Sequence, residues 1–357
     1  ILPAMGIVSD VLPTFARKPL FGYSTVVFAG AVIAFLGFGV WAHHMFTTGL
    51  GPWANGAFAA TTMAIAIPTG VKIFNWIATL YGGSIIFKTP MLFALGFISM
   101  FMLGGLSGVM HAVVPVDTQQ QDTYFIVAHF HYVLFGGSIF GLMAGAYYWV
   151  PKMSGRMLGE SLGKLHFWLM LIGFNITFMP MHILGVIGMP RRIFTYSEAT
   201  GWQTLNSLVS AGSFVIALSI VVFMINVTRS MRQGTIAGKN PWGASTLEWS
   251  ISSPPPHYNF EVVPTVRSQH PLWDEEANVV EPPAMPAHDH PVMPDPSYWP
   301  LVLAFAITMV AGGLIIWQAH QIAGLTVIAS SGLLGMCSIY SWVLEPMEEK
   351  EHVLVHP

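Results

Sequence analysis

Residues 123 to 150 pass without a single Asp, Glu, Lys or Arg, yet near the start of that run stands Ala128-His129-Phe130-His131-Tyr132. A segment this long crosses the roughly 30 Å of bilayer hydrocarbon as one helix, and ionisable groups inside such a helix are costly unless they have a partner or a task. Successive residues of a helix turn by about 100°, so the two histidines project about 200° apart and cannot both ligate one ion without unwinding the backbone. Two readings remain open at this point. Either each histidine serves a different centre on its own side of the helix, or both are hydrogen-bonded groups inside a helix bundle.

The rest of the chain repeats the apolar pattern. Of its 357 residues 54% are hydrophobic and only 9% charged, with mean hydropathy +0.60, far from the roughly 25% charged residues of soluble domains. The sequence predicts an all-α, polytopic transmembrane bundle with spans at about residues 23–45, 57–80, 91–114, 123–150, 162–188, 205–227, 298–317 and 322–343. That is about eight full spans plus a partial first helix, with a loop over residues 10–21 between them. A net charge of -3, scattered along the chain, excludes nucleic acid as a partner. The single cysteine, Cys337, excludes a disulfide framework and cysteine-held metals, which leaves 14 histidines as the available soft ligands.

Loop charges set an orientation. Arg17 and Lys18, then Lys88, then Lys152, Arg156 and Lys164, then Arg229, Arg232 and Lys239 mark alternate loops as cytoplasmic. Gly188-Met189-Pro190-Arg191-Arg192 breaks the rule by placing two arginines on the outer side. They meet an anion whose carboxylates suit paired guanidiniums, or form a surface salt bridge with Glu198. Residues 231–297 are polar and proline-rich and read as an extended cytoplasmic stretch. Residues 298–345 read as an additional transmembrane hairpin and 346–357 as an acidic cytoplasmic tail. Within the polar stretch His288-Asp289-His290 reads as a solvated loop rather than a metal site.

Two further constellations carry chemistry. Trp41-Ala42-His43-His44-Met45-Phe46 ends the first span with adjacent imidazoles, which reach a single ion beside the pair or remain interfacial histidines; nitrogen ligation suits copper, zinc or iron. Ile67-Pro68-Thr69-Gly70-Val71-Lys72 puts a lysine eight residues from the cytoplasmic end of its span, roughly 12 Å at 1.5 Å per residue. Thr69 shares its face. The pair reads as part of a proton path, against plain snorkelling of a long side chain.

These four motifs, in this order and spacing over residues 1 to about 230, closely resemble subunit I of the haem-copper terminal oxidases of bacteria, of the cytochrome c oxidase type. The resemblance implies four-electron reduction of dioxygen to water, coupled to proton uptake and pumping. It makes His43 and His44 ligands of copper B, His129 the ligand of the high-spin haem iron and His131 a ligand of the low-spin haem iron, the two being haem a3 and haem a. Arg191 and Arg192 would hold haem propionates, with Asp117 in the same region; Lys72, Thr69 and Ser9 would form the proton path. Asp122 would bind magnesium, where Gln121 replaces the histidine of many relatives and offers a carbonyl oxygen instead.

The implied partners are subunit II with the electron entry site, subunit III and smaller subunits, with cytochrome c or quinol as donor, in the bacterial cytoplasmic membrane. The stub Ile1-Leu2-Pro3 resembles the continuation of the family's sixth helix. The third copper ligand, the cross-linked tyrosine and the second low-spin haem ligand are therefore expected before Ile1, and the chain is read as N-terminally truncated. Rival readings are a quinol oxidase or nitric oxide reductase of the same superfamily, a proton-coupled transporter, and a metal-free structural subunit.

Overall fold

A computed structural model describes residues 1–260, 263–274 and 297–345, so His288-Asp289-His290 and the tail at 346–357 lie outside the described residues. Regular structure among them is helical, with two isolated bridges, Thr123 to Pro190 and Arg156 to Ile236. The chain divides into two compact units, Ile1–Pro282 and Pro283–Pro357.

Helix α1 (Leu2–Ala16) opens with proline in its first turn, where the missing N–H has no helical partner to lose. The loop expected from residue 10 is helix as far as Ala16, because Val11, Leu12 and Phe15 are all buried in the core and hold the extra turns. Arg17 then closes it in the left-handed region.

The segment at 23–45 differs from its expectation as a single span. Helix α2 (Tyr23–Gly37) stops at glycine, closing with tight bonds from Phe38 N to Phe35 O and Gly39 N to Leu36 O, and Trp41–Met45 forms a separate 3₁₀ turn. The cause is Gly37 and Gly39, which forfeit helix propensity on either side of Phe38. Seven helices among the described residues are therefore long and apolar enough to cross a membrane, with α1 and α2 shorter.

Helices α3 (Pro52–Ala64) and α4 (Ala66–Leu80) form one such span, interrupted at Ile65. Pro68 has no N–H to return to Ala64, which explains the break. At the far end Lys18 Nζ donates to Ala78 O and Tyr81 O, satisfying carbonyls that the helix leaves open. Helix α5 (Thr89–Ala112) is followed by short α6 (Val114–Gln120). Helix α7 (Tyr124–Val133) runs through a π turn, Leu134–Ile139, into α8 (Phe140–Ser154). Two long helices, α9 (Glu160–Val186) and α10 (Gln203–Gln233), complete the bundle.

Helix α5 is central, packing on α1, α7, α8 and α9. Its aromatic stripe, Phe93, Phe97 and Phe101, meets Phe140 and Phe167 in the core. Helix α9 crosses α7 at Gly185, where a Cβ would stand 2.1 Å from Phe125 N; only glycine permits that approach.

Described residues of the polar stretch pack at the end that carries Arg17, Lys18, Lys152 and Arg156, hereafter the basic end. Buried Lys152 donates to Lys239 O, Ile251 O and Ser252 O and lies over the Trp249 ring. Trp242 donates to Tyr148 O and packs on Phe15, and Arg17 donates to Gly243 O.

In the second unit α11 (Trp299–Ala319) and α12 (Gln321–Val343) form a hairpin, drawn close where Gly313 meets Ile328 and Gly324 meets Trp317. The molecule is a multi-pass helical membrane protein.

Candidate metal centre

The two histidines of α7 turn to different helices. His129 faces α5, where its Nδ1 lies 2.8 Å from Ser107 Oγ and 3.1 Å from Gly104 O. Ser107 itself donates to Gly104 O at 2.9 Å. A carbonyl only accepts, so Nδ1 carries the proton and Nε2 keeps its lone pair. Gly108 leaves the space beside that ring: a Cβ there would lie 3.1 Å from Cε1 and 3.9 Å from Nε2.

His131 faces α9. Its Nδ1 reaches Val127 O, one turn back on its own helix, at 2.7 Å, and its ring stacks on Phe178 at 4.0 Å and 15°. By the same reasoning its Nε2 is bare. Phe130 between them carries the Arg191 guanidinium over its ring at 5.8 Å.

His43 and His44 bring their Nε2 atoms within 2.9 Å of each other. His43 Nδ1 lies 3.1 Å from Thr62 Oγ1, which gives its own proton to Phe58 O, so Nδ1 donates and His43 Nε2 is the acceptor of the pair. Metal–imidazole bonds run about 2.0–2.1 Å, so nitrogens this close can share one ion, which would displace the proton between them. Among the described residues no group of three or more His, Cys, Asp or Glu is placed to hold a metal. The donor set suits haem or a nitrogen-held metal: Nε2 is bare on His129 and His131, His43 and His44 share one proton between their Nε2 atoms, and Nδ1 has a second partner in three of the four rings.

Helix α4 carries the polar column. Lys72 is buried, and its Nζ sits against the α2 backbone, where a Cβ on Gly30 would come within 3.2 Å. Thr69 Oγ1 bonds to Ile65 O at 2.8 Å. Ser9 on α1 accepts from Trp76 Nε1 at 3.0 Å, one turn past Lys72, so Ser9 meets α4 on the Lys72 stretch. Asn75 and Thr79 extend this buried column toward the basic end.

At the opposite end Tyr124 N bonds to Met189 O and Arg191 N to Asp122 O, tying the loop after α9 to the start of α7. Arg192 pairs with Asp122 at 3.5 Å, both well exposed, rather than with Glu198. Asp117 is buried, and burial together with Asp122 pushes its carboxyl up to about 6.

Two residues escape the sequence reading. His111 on α5 is buried with both ring nitrogens unpartnered, 4.7 Å from the His129 ring. His182 on α9 packs against Phe125 and Tyr132. The signal was a histidine within each apolar run, but neither lies beside a second one.

An apolar bundle that holds imidazoles with bare nitrogens on both sides of one helix defines a multi-pass membrane protein built to ligate metals or haem. The family model for Cytochrome C and Quinol oxidase polypeptide I matches residues 1–241, and the chain belongs to that family. It is 52% identical over 328 residues to cytochrome c oxidase subunit 1 of Bacillus sp. (strain PS3), covering 91% of this chain and 52% of that protein. Against the Bacillus subtilis (strain 168) protein of the same name it is 50% identical over 332 residues, covering 92% and 53%. The chain thus spans about half the length of the curated relatives it matches. A solved heme-copper terminal oxidase dimer shares the fold, with TM-score 0.60 at 18% identity, over 66% of this chain and 47% of that one.

Proposed function

We propose that this chain forms part of the catalytic subunit of a respiratory terminal oxidase, reducing dioxygen to water with electrons from cytochrome c and taking protons through the bundle. One observation carries the reading: α7 turns His129 and His131 to opposite helices with each Nδ1 tied to a carbonyl, so two bare Nε2 atoms stand on opposite sides of one rigid turn. His129 then holds the iron of the oxygen-binding haem and His131 that of the low-spin haem, with haem a3 and haem a as the pair. His43 and His44 hold copper B. When bound, these groups supply electron transfer and oxygen chemistry.

The remaining residues orient those ligands and move protons. Ser107 and the Gly104 carbonyl fix the His129 ring, Phe178 the His131 ring and Thr62 the His43 ring. Arg191 and Arg192 face the haem carboxylates with Asp117 nearby, and Asp122 with the Gln121 carbonyl offers oxygen ligands to magnesium. Ser9, Lys72 and Thr69 carry protons from the basic end. Residues 1–230 make up the catalytic core, the described residues 231–260 and 263–274 belong with its basic end, and 298–345 form an additional hairpin. The partners are an electron-entry subunit II and a subunit III, in a bacterial cytoplasmic membrane. The names of the two Bacillus proteins favour cytochrome c over quinol as donor.

The test is a reduced-minus-oxidised spectrum of the purified complex, with and without carbon monoxide, and a copper determination. Two haem signals are expected, of which only one responds to carbon monoxide, together with copper. His131→Ala should lose the unresponsive haem and His129→Ala the responsive one. A complex without haem bands would overturn the reading, and two haems without copper would favour the nitric oxide reductase.

A further inference from the structure

Among the described residues one hydrogen bond between side chains joins α1 to α4, from Trp76 Nε1 to Ser9 Oγ at 3.0 Å. Trp76 is wholly buried, edge-on to Phe97 at 5.6 Å, and a buried indole N–H needs an acceptor. A backbone carbonyl fills that need elsewhere, since buried Trp242 donates to Tyr148 O. Trp76 instead gives its N–H to a hydroxyl assigned above to the proton path, and it stands one turn after Lys72 on the same face of α4.

The Ser9 hydroxyl has one proton and two lone pairs. Its proton goes to Met5 O at 2.8 Å, one turn back on α1, and one lone pair takes the indole N–H. Those two partners fix where the second lone pair points. A hydroxyl relays a proton by accepting one on a free lone pair and releasing its own, so that lone pair is the receiving end. An indole N–H only donates, and no proton chain can branch through it.

We infer that Trp76 is a positioning residue for proton transfer: its N–H holds Ser9 Oγ in the orientation from which the hydroxyl receives a proton from the basic end and hands its own on toward Lys72. The inference rests on the reading of Ser9 and Lys72 as the proton path. The oxygen begins and ends neutral, because one O–H bond forms as the other breaks. The hydroxyl then resets by turning about its Cβ–Oγ bond, back to Met5 O, while the indole keeps the oxygen in place.

The experiment follows proton uptake by the purified complex with a pH-sensitive dye as the oxidised enzyme is reduced, in Trp76→Phe, Ser9→Ala and the double variant, with haem spectra recorded alongside. Trp76→Phe keeps an aromatic ring in the core and loses the N–H. Uptake should slow roughly two- to tenfold, the worth of one neutral hydrogen bond, with both haems intact. Once Ser9 is alanine the N–H has no hydroxyl to hold, so the double variant should be no slower than Ser9→Ala alone. Uptake at the unaltered rate in a fully loaded Trp76→Phe complex, or a double variant slower than Ser9→Ala by the whole Trp76→Phe factor, would make Trp76 a packing residue and overturn the inference alone. If Trp76→Phe does not assemble, benzothienylalanine at position 76, with sulfur in place of N–H within the same two-ring outline, carries the same comparison. A Ser9→Ala complex that takes up protons at the unaltered rate would remove Ser9 from the path, and this inference with it.

Discussion

At His129 the protein uses three small groups to aim one ring: a carbonyl from Gly104, a hydroxyl from Ser107 and the bare backbone of Gly108, against which the ring packs. The first two set the tautomer, and the third leaves the ring its place. Gly108→Val should therefore drive the ring off its position, and the carbon monoxide-binding haem should be lost while the other persists; difference spectra with carbon monoxide read this directly. Lys72 works differently: it has no hydrogen-bond or ion-pair partner among the described residues, and its Nζ lies against the α2 backbone at Gly30. Lys72→Met keeps the length and apolar stem but removes the amine that the proposed proton path uses. Oxygen consumption should drop roughly tenfold or more with the haem spectrum intact, and unchanged turnover would remove Lys72 from the proton path. These residue types and their spacing were visible in the sequence. His111 was not, because one histidine in an apolar run looks the same whether its nitrogens are satisfied or orphaned.

Helices place those residues by close backbone approach. The α7–α9 crossing at Gly185 carries His131 onto Phe178, and its contact with Phe125 leaves no room for a methyl group. Gly185→Ala must part the two helices, at a cost of about 1–3 kcal/mol for overpacking. The measurable result is a lower thermal midpoint of the detergent-solubilised complex, together with partial loss of the haem on His131. Helix breaks are just as local. Pro68 divides α3 from α4, and Gly37 and Gly39 end α2 before the histidine pair, so His43 and His44 ride on a 3₁₀ turn. Their Nε2 atoms converge because that turn rests on α3, with His43 on Thr62 and Trp41 on Phe58. Apolar periodicity could place a span at 23–45, but it could not show that the span's last turns separate from the helix.

Across the larger unit the described residues of the polar stretch are part of the packed structure. Lys152, buried among three carbonyls and the Trp249 ring, ties residues 239–252 to the end of α8. Lys152→Ala leaves those carbonyls without their donor, about 1–3 kcal/mol of lost interaction. Limited proteolysis should then cut within residues 239–260 faster than in the unaltered protein, and equal rates would mean that Trp242 and Trp249 hold the stretch unaided. The sequence by itself determined the all-α membrane class, most of the spans and the four motifs, because hydrophobic length and residue type are one-dimensional facts that lipid enforces directly. It also required His129 and His131 to diverge, since helical rotation is fixed by the backbone. Only the tertiary structure decided what each imidazole meets: a carbonyl on α5 for His129, a phenyl ring on α9 for His131, no partner for His111. Those contacts depend on how closely helices far apart in sequence approach one another, and in this bundle single glycines set that distance.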